Sequence, residues 1–513
     1  MNFWTPDSLR SASGGTFVLR PDPGAGGAPP ALQGLSIDSR SILPGQAFMA
    51  IRGERFDAHE FVYEVAAAGC PLIFIERDVD LSRLREGVRV PPVVIRVSDA
   101  RKALGRLAHA YRRSLTRTRV IAVCGSNGKT TTVRLIDAVL ASRLSGSASK
   151  KSFNNDIGVP LTILGASPTD QYLICEVGTN APGEIAHLAG IVEPDVSVIT
   201  SIGREHLELL GGLDGVAQEE SAIVRGTRSG GLALVIGDSP ELARQVRDGV
   251  GGVAVMTFGL GEGSMLRVTE PRVEADPAAG VSAGAPVGTS FSLNGRGRYF
   301  VPLPGMHNAT NAAAAIGVAR RLGVDEQSIV EALRTARGPE MRWDRSRVLL
   351  ASDPSRPVDV INDAYNANPE SMLASLRALA AVLASAPRGR RVIILGEMRE
   401  LGAGSVALHE EVGREVGTLG LIGRDDALIV VGAGGPHYAR AAVAAGVPGA
   451  SVVELADASP ERAAVAAAMV RPGDTVLLKG SRAVGLERIV KHLSGVVPTI
   501  AAGLGAGAAG APA

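Results

Sequence analysis

The sequence predicts an α/β protein of three domains, and three observations support this fold class. The chain has 513 residues, which at roughly 150 residues per domain is enough for about three domains. Hydrophobic residues make up 45% and aromatic residues only 4%, which favours cores of aliphatic helices packed on Val, Ile and Leu strands. Strand-like and helical runs alternate from residue 116, and the alternation restarts after Arg342, which indicates two successive parallel sheets covered by helices.

The first domain is predicted to be a small α/β unit over residues 1–115. The central domain, residues 116–341, has strand-like runs at 119–124, 172–176, 196–202 and 232–236. Residues 264–303 differ, with short alternating strands and many turn residues, so we expect them to add antiparallel strands to the central sheet. An Ala-rich helix is predicted from Asn308 to Leu322.

The third domain, residues 342–498, is predicted to be a second doubly wound, Rossmann-like sheet. Its strand-like runs are each followed by a helical stretch and lie at 358–362, 391–395, 427–431 and 475–479. Residues 499–513 form a low-complexity tail for which we expect disorder.

Composition and charge exclude several classes of partner. The chain has 53 basic and 52 acidic residues and no Lys/Arg run, so no nucleic-acid partner is expected. It has no apolar run of about 18 residues and no apolar stretch at its N-terminus, so we expect neither a membrane span nor a signal peptide. Its three cysteines lack metal-site spacing, which fits a reducing compartment. We therefore expect a cytoplasmic protein that acts on small molecules, with a monomer as the simplest state.

A phosphate loop is predicted at residues 125–130, Gly-Ser-Asn-Gly-Lys-Thr. It follows a strand-like run and opens a helical stretch, so backbone N–H groups and a helix N-terminus would face phosphate oxygens. Lys129 would reach the terminal phosphates, and the Thr130 hydroxyl would hold Mg²⁺. The spacing GxxGKT is shorter than the general GxxxxGK[ST], because Val123 stands where the first glycine would be. The pattern indicates an enzyme that consumes ATP.

Two further strand ends carry groups that suit an ATP site. Glu176 ends one strand-like run, and His206 follows another. Ligands of open α/β sheets bind beyond the carboxyl ends of strands, where a Glu is well placed to hold Mg²⁺. A single His is more often structural than functional, but His206 is the third such group around one phosphate site, so we interpret it as functional.

With these motifs the chain resembles the Mur ligases, the ATP-dependent enzymes that assemble the peptide of bacterial cell-wall precursors. The resemblance covers about residues 30 to 495. Besides the groups above, it rests on GMHNATN at 305–311, on Arg342 and on Asn362-Asp363. The related folylpolyglutamate synthetases share several of these motifs.

Within the family, the chain is most similar to the member that joins D-alanyl-D-alanine to UDP-N-acetylmuramoyl-tripeptide (UDP-MurNAc-tripeptide). The segments that carry this similarity are NNDIGVPLT at 154–162, EVGTNAPGEI at 176–185, NDAYNANPESM at 362–372, LGEMRELG from 395 with His409, and KGSR at 479–482. The diaminopimelate-adding member has a DNPR signature, and Asn366-Ala367-Asn368-Pro369 occupies the comparable place here. The resemblance implies that ATP phosphorylates the tripeptide carboxylate and that the amine of D-Ala-D-Ala attacks the acyl phosphate.

The resemblance also implies a role for each candidate residue. Lys129 would neutralise the γ-phosphate, Thr130 and Glu176 would hold one Mg²⁺, and His206 would help hold a second. The candidates for ATP binding are Gly125, Ser126, Asn127, Gly128, Lys129, Thr130 and Thr131, with Asn308 and Asn311 on the adenine side and Arg342 and Asp363 on phosphate and ribose. The candidates for substrate binding are Ser39 and Arg40 at the uridine nucleotide, Asn154, Asn155, Thr179 and Asn180, and Tyr365, Asn366 and Asn368 for D-Ala-D-Ala. The loops at 397–409 are expected to give structural support.

Glu220 stands at a departure from the family. Mur ligases have a carbamoylated lysine in the helix after the His motif, and the carbamate supports the second Mg²⁺. Alignment of Leu213–Ala217 with the family's run puts Glu220 in the place of that lysine, with Glu219 as the alternative if the register slips by one. A glutamate ends in the same kind of anion on a shorter stem. Our hypothesis is that Glu220 replaces the carbamate as a catalytic and metal-binding group.

Three other functions fit parts of the pattern. One is another amide ligase of the same fold, either the diaminopimelate-adding enzyme or a folylpolyglutamate synthetase. A phosphate-loop kinase would give a stable phosphorylated product, and a nucleotide-binding scaffold would show no turnover. The third residue of the acceptor peptide, lysine or diaminopimelate, stays open. Closure of the third domain over ATP is implied by the resemblance, since Arg342 and Asp363 reach ATP only in that way.

Overall fold

The structure is a computed structural model that describes residues 3–21, 31–54, 56–86, 88, 90–150, 152–246, 251–278, 287–385 and 389–494. The tail predicted at 499–513 lies outside these residues. Within the described residues, three separate sheets follow one another, with five, nine and six strands, and this confirms the predicted three-domain α/β class. No helix in the described ranges has the length and apolar character needed to cross a bilayer.

The first sheet has the strand order β1-β5-β4-β3-β2, and only β1 is antiparallel to its neighbour. Its elements are α1 (Pro6–Ser13), β1 (Thr16–Leu19), β2 (Leu35–Ser36), β3 (Ala47–Met49), α2 (Val62–Ala67), β4 (Leu72–Ile75), α3 (Leu81–Glu86), β5 (Val93–Arg96) and α4 (Ala100–Ser114). The side chain of Asp99 caps α4 by accepting from Lys102 N, which fixes where that helix begins.

The central sheet has the order β14-β13-β12-β11-β10-β9-β6-β8-β7. It is formed by β6 (Arg119–Cys124), β7 (Gly146–Ala148), β8 (Tyr172–Glu176), β9 (Val196–Ile199), β10 (Leu232–Ile236), β11 (Ala254–Gly259), β12 (Leu266–Ala275), β13 (Val287–Leu293) and β14 (Arg296–Val301). Strands β6 to β12 are parallel, while β13 and β14 continue antiparallel from β12, as the sequence predicts. The inner strands β8, β9 and β10 are buried along their whole length and mostly apolar, because helices cover both faces of the sheet.

The helices of the central domain follow its strands. They are α5 (Lys129–Leu140), α6 (Gly158–Leu164), α7 (Glu184–Val192), α8 (Leu207–Leu210), α9 (Leu213–Gly226), α10 (Pro240–Val246), α11 (Met306–Arg321) and α12 (Glu326–Thr335). The Ala-rich α11 is buried along most of its length and packs on α5, which its small side chains allow.

The third sheet has the order β15-β16-β20-β17-β18-β19, with only β15 antiparallel. Its elements are β15 (Asp344–Val348), β16 (Val358–Asn362), α13 (Pro369–Ser385), β17 (Arg391–Gly396), α14 (Ser405–Thr418), β18 (Ala427–Val431), α15 (Gly435–Ala444), β19 (Val452–Leu455), α16 (Pro460–Ala468), β20 (Thr475–Lys479) and α17 (Glu487–Ser494). Ile393 and Val392 belong to different apolar clusters, so both faces of this sheet are covered.

Helix α4 packs against both the first and the central domain. It packs on α1 of the first domain and on α6 and α7 of the central domain. Leu104 and Leu107 are fully buried in an apolar cluster that contains residues of both domains. Tyr111 donates its hydroxyl hydrogen to Ala166 O at 2.8 Å, and Arg112 donates to Val192 O at 2.9 Å. The first two domains are therefore joined by a shared core.

The linker into the third domain has an unusual backbone. Met341 and Trp343 both have a φ of 57°, in the left-handed region that bulky residues avoid. The loop after β16 holds them, since Trp343 N donates to Asp363 Oδ1 at 3.2 Å and Tyr365 N donates to Met341 O at 3.1 Å. The linker keeps this shape through contacts with the domain that it introduces.

Candidate functional site

The phosphate loop lies at the carboxyl end of β6, where the sequence predicts it. Gly125 and Gly128 have φ of 117° and 84°. A Cβ at Gly125 would lie 2.4 Å from Thr200 Oγ1, and a Cβ at Gly128 would lie 2.5 Å from Asn311 Oδ1. Conformation and space both require glycine at these positions. The loop then turns directly into α5, which begins at Lys129.

The loop is fastened to the end of β9. Ser126 N donates to Ser201 O at 2.9 Å, and Asn127 N donates to Ser201 Oγ at 2.7 Å. Thr200 Oγ1 donates to Asn127 O at 2.6 Å. Because the segment after β9 also carries His206, these bonds fix the phosphate loop and His206 to one framework.

Lys129 sits among carboxylates. Its Nζ donates to Gly125 O at 2.5 Å and lies 3.7 Å from Glu205 Oε1. Burial by itself lowers the pKa of Lys129, but the carboxylates of Glu205, Glu220 and Glu176 outweigh it and raise that pKa. Burial raises the pKa of Glu205 to about 7, although Lys129 opposes the shift. Lys129 is thus held as a cation, which is the form that binds phosphate.

Glu176 ends β8 and is fully buried beside the loop. Its Oε1 accepts from Asn154 Nδ2 at 3.1 Å, whereas its Oε2 has no hydrogen-bond partner among the described residues. Thr130, in the first turn of α5, has its hydroxyl 3.3 Å from Ser152 Oγ, and Thr131 is buried next to it. Burying a carboxylate oxygen without a hydrogen-bond donor costs free energy, unless another group lies beside that oxygen.

The residues after β9 face the third domain. His206 has φ of 49°, and its Nδ1 lies 2.7 Å from Glu400 Oε2. Arg204 donates from Nε to Glu370 Oε1 at 2.5 Å and from Nη1 to Glu411 Oε2 at 2.8 Å. These ion pairs cross from the central domain to α13 and α14, so the third domain is docked against the site.

Glu219 and Glu220 of α9 have different partners. Glu219 accepts from Gly183 N at 2.7 Å and from Ile185 N at 2.8 Å, and so caps the first turn of α7. Glu220 is fully buried, and its Oε2 accepts from Gly125 N at 2.8 Å, while its Oε1 has no partner in the described part of the chain. Burial raises the pKa of Glu220, and Lys129 opposes this. Glu220 therefore lies beneath the phosphate loop, and its metal role stays a prediction.

Asn308 and Asn311 lie under the loop as well. Both are buried, Asn311 Nδ2 donates to Asn308 Oδ1 at 3.3 Å, and Asn308 Nδ2 donates to Pro304 O at 3.0 Å. The cavity wall described below does not include them. The structure places the side chain of Asn311 against Gly128, and the contact of the two asparagines with adenine stays a prediction.

The third domain brings its predicted residues to the same place. The guanidinium of Arg342 lies 4.5 Å from the ring centre of Tyr365, and Asp363 Oδ2 lies 3.1 Å from Lys479 Nζ. Asn368 Nδ2 donates to Asn127 Oδ1 at 2.9 Å and so contacts the phosphate loop directly. These contacts place polar groups of both domains opposite each other.

A cavity of about 410 Å³ lies between the central and third domains. Predicted residues that line it are Ser126, Asn127, Gly128, Lys129, Asn154, Asn155, Glu176, Thr179, Asn180, His206, Arg342, Asp363, Tyr365, Asn366 and Asn368. Ser39 and Arg40 lie away from this cavity, in a turn of the first domain. There Arg40 forms an ion pair with Asp38, and its hydrogen bonds lower the pKa of Asp38 to about 2. A larger cavity of about 690 Å³ opens at the amino ends of the central strands, on the side of the sheet opposite to the phosphate loop. The predicted site residues do not line it.

The sequence missed several residues of the cavity. Arg204 and Glu205 precede His206 directly, so their position was the available signal. Glu400 belongs to the loops at 397–409, for which structural support is expected, and it lines the cavity and lies beside His206. His409 does fit that expectation: its Nδ1 donates to Ser405 O at 2.6 Å and its Nε2 accepts from Met398 N at 3.0 Å.

The fold and the site define an α/β protein with a phosphate loop between a central and a docked third domain. Three family profiles match the chain: "Mur ligase family, catalytic domain" at residues 31–112, "Mur ligase middle domain" at 123–319, and "Mur ligase, glutamate ligase domain" at 345–482. The chain belongs to the Mur ligase family.

Individual relatives agree with this assignment. The UDP-N-acetylmuramoyl-tripeptide–D-alanyl-D-alanine ligase of Bacillus subtilis is 32% identical over 90% of this chain and 93% of its own length. The crystal structure of MurF from Acinetobacter baumannii has a TM-score of 0.76 and 30% identity, covering 96% of this chain and 98% of that one. MurF ligase from Thermotoga maritima in complex with ADP has a TM-score of 0.70 and 25% identity, covering 90% and 97%.

Proposed function

We propose that this chain is an ATP-dependent ligase that joins D-alanyl-D-alanine to UDP-MurNAc-tripeptide and releases ADP and phosphate. The observation that carries the proposal is the cavity in which Lys129, Glu176 and His206 of the central domain face Arg342 and Asp363 of the third. Relatives with that name and a structural neighbour in complex with ADP support the choice of substrate and nucleotide.

The first step activates the tripeptide carboxylate. A carboxylate oxygen attacks the γ-phosphorus of ATP, the bond to the bridging oxygen breaks, and ADP leaves. Lys129 neutralises the terminal phosphate, for which its Nζ exchanges the contacts with Gly125 O and Glu205. The N–H groups of the phosphate loop bind the other phosphate oxygens, and Arg342 and Asp363 hold the nucleotide from the third domain.

The second step forms the amide. The amine of D-Ala-D-Ala attacks the acyl carbon, phosphate leaves, and the proton of the amine passes to solvent. Tyr365, Asn366 and Asn368 orient the dipeptide, while Asn154, Asn155, Thr179 and Asn180 contact the peptide of the acceptor. Ser39 and Arg40 bind the uridine nucleotide on the first domain.

The residues around the loop fit Mg²⁺. Glu176 Oε2 is a buried carboxylate oxygen without a donor among the described residues, and the Thr130 hydroxyl lies in the first turn of α5, directly after the phosphate loop. The described residues hold no group of three or more His, Cys, Asp or Glu arranged to bind a metal alone. This suits Mg²⁺, which is often held by one or two carboxylates together with waters and substrate phosphates. When bound, Mg²⁺ supplies charge neutralisation on the transferred phosphoryl group.

The organisation and setting of the chain belong to the proposal as well. We place the domain boundaries near residues 115 and 342, between the sheets. A cytoplasmic monomer that acts on small molecules is the state that the sequence predicts.

Product analysis tests the function. The purified chain is incubated with ATP, Mg²⁺, D-Ala-D-Ala and UDP-MurNAc-tripeptide carrying either lysine or diaminopimelate, and products are measured by mass spectrometry. We expect equal amounts of ADP, phosphate and UDP-MurNAc-pentapeptide, and no product from Lys129→Met. ADP with a stable phosphorylated acceptor would identify a kinase instead. In parallel, ATP is incubated with the acceptor and amine pair of each alternative ligase, and phosphate release is measured. Turnover with the pair whose amine is diaminopimelate or glutamate, and none with D-Ala-D-Ala, would identify another ligase of the same fold.

A further inference from the structure

The larger cavity, of about 690 Å³, lies far from the phosphate loop. Arg119 lines this cavity and begins β6, whereas the loop follows the other end of the same strand, which has six residues. At the usual rise of a strand the two places are about 20 Å apart. The volume is that of an ordinary small-molecule pocket. The larger cavity is therefore separate from the proposed active site, and the proposed function gives it no role.

Positive charge is concentrated in the larger cavity. The ionisable residues that line it are four arginines and two aspartates: Arg117, Arg119, Arg228, Arg321, Asp170 and Asp195. Four positive charges against two negative ones leave a surplus of two, whereas the whole chain has a net charge of only +1. The cavity is thus much more basic than the protein that contains it.

Asp195 is the counterion of a buried arginine. Its Oδ2 accepts from Arg112 Nη2 and from Val120 N, both at 2.9 Å. Only 2% of the Arg112 side chain is exposed. Burial lowers the pKa of Arg112, and Asp195 opposes this shift while the charge of Arg228 adds to it. Much of the charge of Asp195 is therefore balanced from inside the protein, and little of it is left for the arginines of the cavity.

Asp170 has partners within the protein as well. Its Oδ2 accepts from Ser147 Oγ at 2.5 Å and from Ser167 N at 3.0 Å. These bonds tie the carboxylate to the segments on either side of it in the chain. Neither aspartate of the cavity is therefore positioned to neutralise all four arginines.

The guanidinium groups of three of these arginines have free donors. Within the described ranges, Arg117 forms no hydrogen bond or ion pair, and the guanidiniums of Arg119 and Arg228 reach only Asp195 Oδ1, at 3.8 and 3.9 Å. Arg321 differs, since its Nη2 donates to Gly230 O at 3.2 Å. Arginines at helix ends commonly bond the last carbonyls, and this explains Arg321 alone.

The turn that carries Arg228 has a fixed backbone. Arg228 N donates to Pro194 O at 2.9 Å, and Gly231 N donates to Arg228 O at 2.8 Å. Gly230 has φ of 78°, and a Cβ at Gly231 would lie 2.7 Å from Arg228 O. The glycines permit this tight turn. Arg228 is thereby held beside the start of β9, next to Asp195 and opposite Arg119.

A multiply charged oxyanion suits this set of donors. Guanidinium groups bind phosphate oxygens through pairs of parallel hydrogen bonds. Neighbouring cations repel each other, and an anion between them removes that repulsion. Among the described residues that line the cavity there is no aromatic ring on which a nucleotide base would stack. The charges of a ligand, rather than a flat ring, are therefore what this cavity can recognise.

We propose that the larger cavity is a second anion-binding site, which takes a small molecule carrying two or more negative charges on phosphate groups. Arg117, Arg119 and Arg228 bind its oxygens. Free diphosphate and the diphosphate of a nucleotide share this chemistry, and the lack of a stacking ring in the described wall favours the free form. The site is independent of the proposed function.

Calorimetry with inorganic diphosphate tests the site. The Lys129→Met chain is used, because the phosphate loop would otherwise bind diphosphate too. We expect one diphosphate per chain, with a Kd below about 1 mM. Adding Arg117→Gln and Arg228→Gln to Lys129→Met should weaken binding by about 30-fold or more. Adding Arg85→Gln and Arg424→Gln instead is the matched control, since it removes the same charge from exposed arginines elsewhere, and it should leave the Kd within about twofold.

Hydrogen exchange locates the bound anion. In the Lys129→Met chain, diphosphate should slow amide exchange at residues 117–119 and 228–231 and leave the phosphate loop at 125–130 unchanged. ADP is added in the same way. Protection of 228–231 by ADP as well would identify a nucleotide as a second source of the ligand, and protection by diphosphate alone would identify a free diphosphate.

Three results would overturn the proposal. One is no binding of diphosphate by Lys129→Met at about 1 mM. Another is equal affinity in the chains with Arg117→Gln plus Arg228→Gln and with Arg85→Gln plus Arg424→Gln. The third is protection confined to the phosphate loop. Arg117 and Arg228 are exposed, so their substitution should preserve the fold, and the thermal unfolding midpoint checks this.

These measurements need no turnover. A chain that binds diphosphate at this cavity and forms no amide would contradict the proposed function and leave the anion site intact. Amide formation by a chain whose larger cavity binds no diphosphate would do the reverse.

Discussion

Glu220 carries two separable roles at the scale of single residues. It accepts a hydrogen bond from Gly125 N, and its other oxygen is buried near Lys129 with no hydrogen-bond partner among the residues that the structure describes. Glu220→Gln keeps an acceptor for the amide but removes the charge. If the anion replaces the family's carbamate, Glu220→Gln and Glu220→Ala should both lose activity, by about 10- to 100-fold.

Amide formation under saturating substrates measures this. Glu220→Lys is expected to recover activity only when bicarbonate is supplied. A fully active Glu220→Ala would contradict the hypothesis, and an active Glu220→Gln would reduce Glu220 to a support for the loop.

His409 makes stability depend on pH. Both of its ring hydrogen bonds require the neutral form with hydrogen on Nδ1, since protonation of Nε2 would break the bond from Met398 N. Burial holds the pKa of His409 below its ordinary 6.5. The unfolded chain therefore binds the proton more readily than the native one. The stabilisation is complete above pH 6.5 and is lost as the pH falls through the lowered value.

Thermal unfolding between pH 8 and pH 5 shows this as a falling midpoint. His409→Gln should flatten that fall, while His492→Gln, which changes an exposed histidine, should leave it unchanged. An identical fall in His409→Gln would show that other groups cause it.

At the scale of elements, the phosphate loop and α11 form one packed unit. Gly128→Ala would force φ of 84° on an alanine and drive its Cβ against Asn311 Oδ1. The conformational cost alone is about 1–2 kcal/mol, so we expect ATP affinity to fall by about tenfold or more. Binding of a fluorescent ATP analogue measures it.

Gly190→Ala is the matched control for this change. Gly190 lies in α7 with no other group near its position, so alanine should preserve binding and stabilise the helix by up to about 1 kcal/mol. Equal affinity in Gly128→Ala and Gly190→Ala would contradict the packing argument.

The elements that the sequence predicts correctly are those that are buried along their whole length. The runs at 119–124, 172–176 and 427–431 match β6, β8 and β18, because inner parallel strands are apolar on both faces. The strands β15 and β19 were missed, since edge strands are half exposed and these two carry charged residues within a short run.

The residues of the site also fall into those that the sequence predicts and those that it does not. The glycines and Lys129 of the loop, with Glu176 and His206, follow from local patterns at strand ends, and the structure brings them together. Glu400 could not be found, because its contact with His206 joins residues of two domains and depends on how those domains dock. The local environment of Asn308 and Asn311 was equally hidden, since a buried asparagine and a ligand-binding one look alike in sequence.

At the scale of the whole molecule, the shared core around α4 links the first domain to nucleotide binding in the second. The chain has two tryptophans, and Trp4 packs on Tyr111 of α4 with ring centres 5.3 Å apart. In Trp343→Phe, fluorescence reports Trp4 alone. ADP at about 100 times its Kd contributes about 2.7 kcal/mol, so the unfolding midpoint seen by Trp4 should rise by several degrees.

Trp4→Phe provides the comparison, because Trp343 beside the site should report the same rise. If ADP raised the unfolding midpoint reported by Trp343 and left the midpoint reported by Trp4 unchanged, the first domain would unfold independently of the second.

The linker of Met341 and Trp343 is held by the domain that follows it. Two bulky residues in the left-handed region cost roughly 2–6 kcal/mol together, and the contacts with Asp363 and Tyr365 that offset this cost lie in the third domain itself. These contacts do not depend on the central domain. The linker should therefore move with the third domain as one rigid piece when that domain leaves the central one.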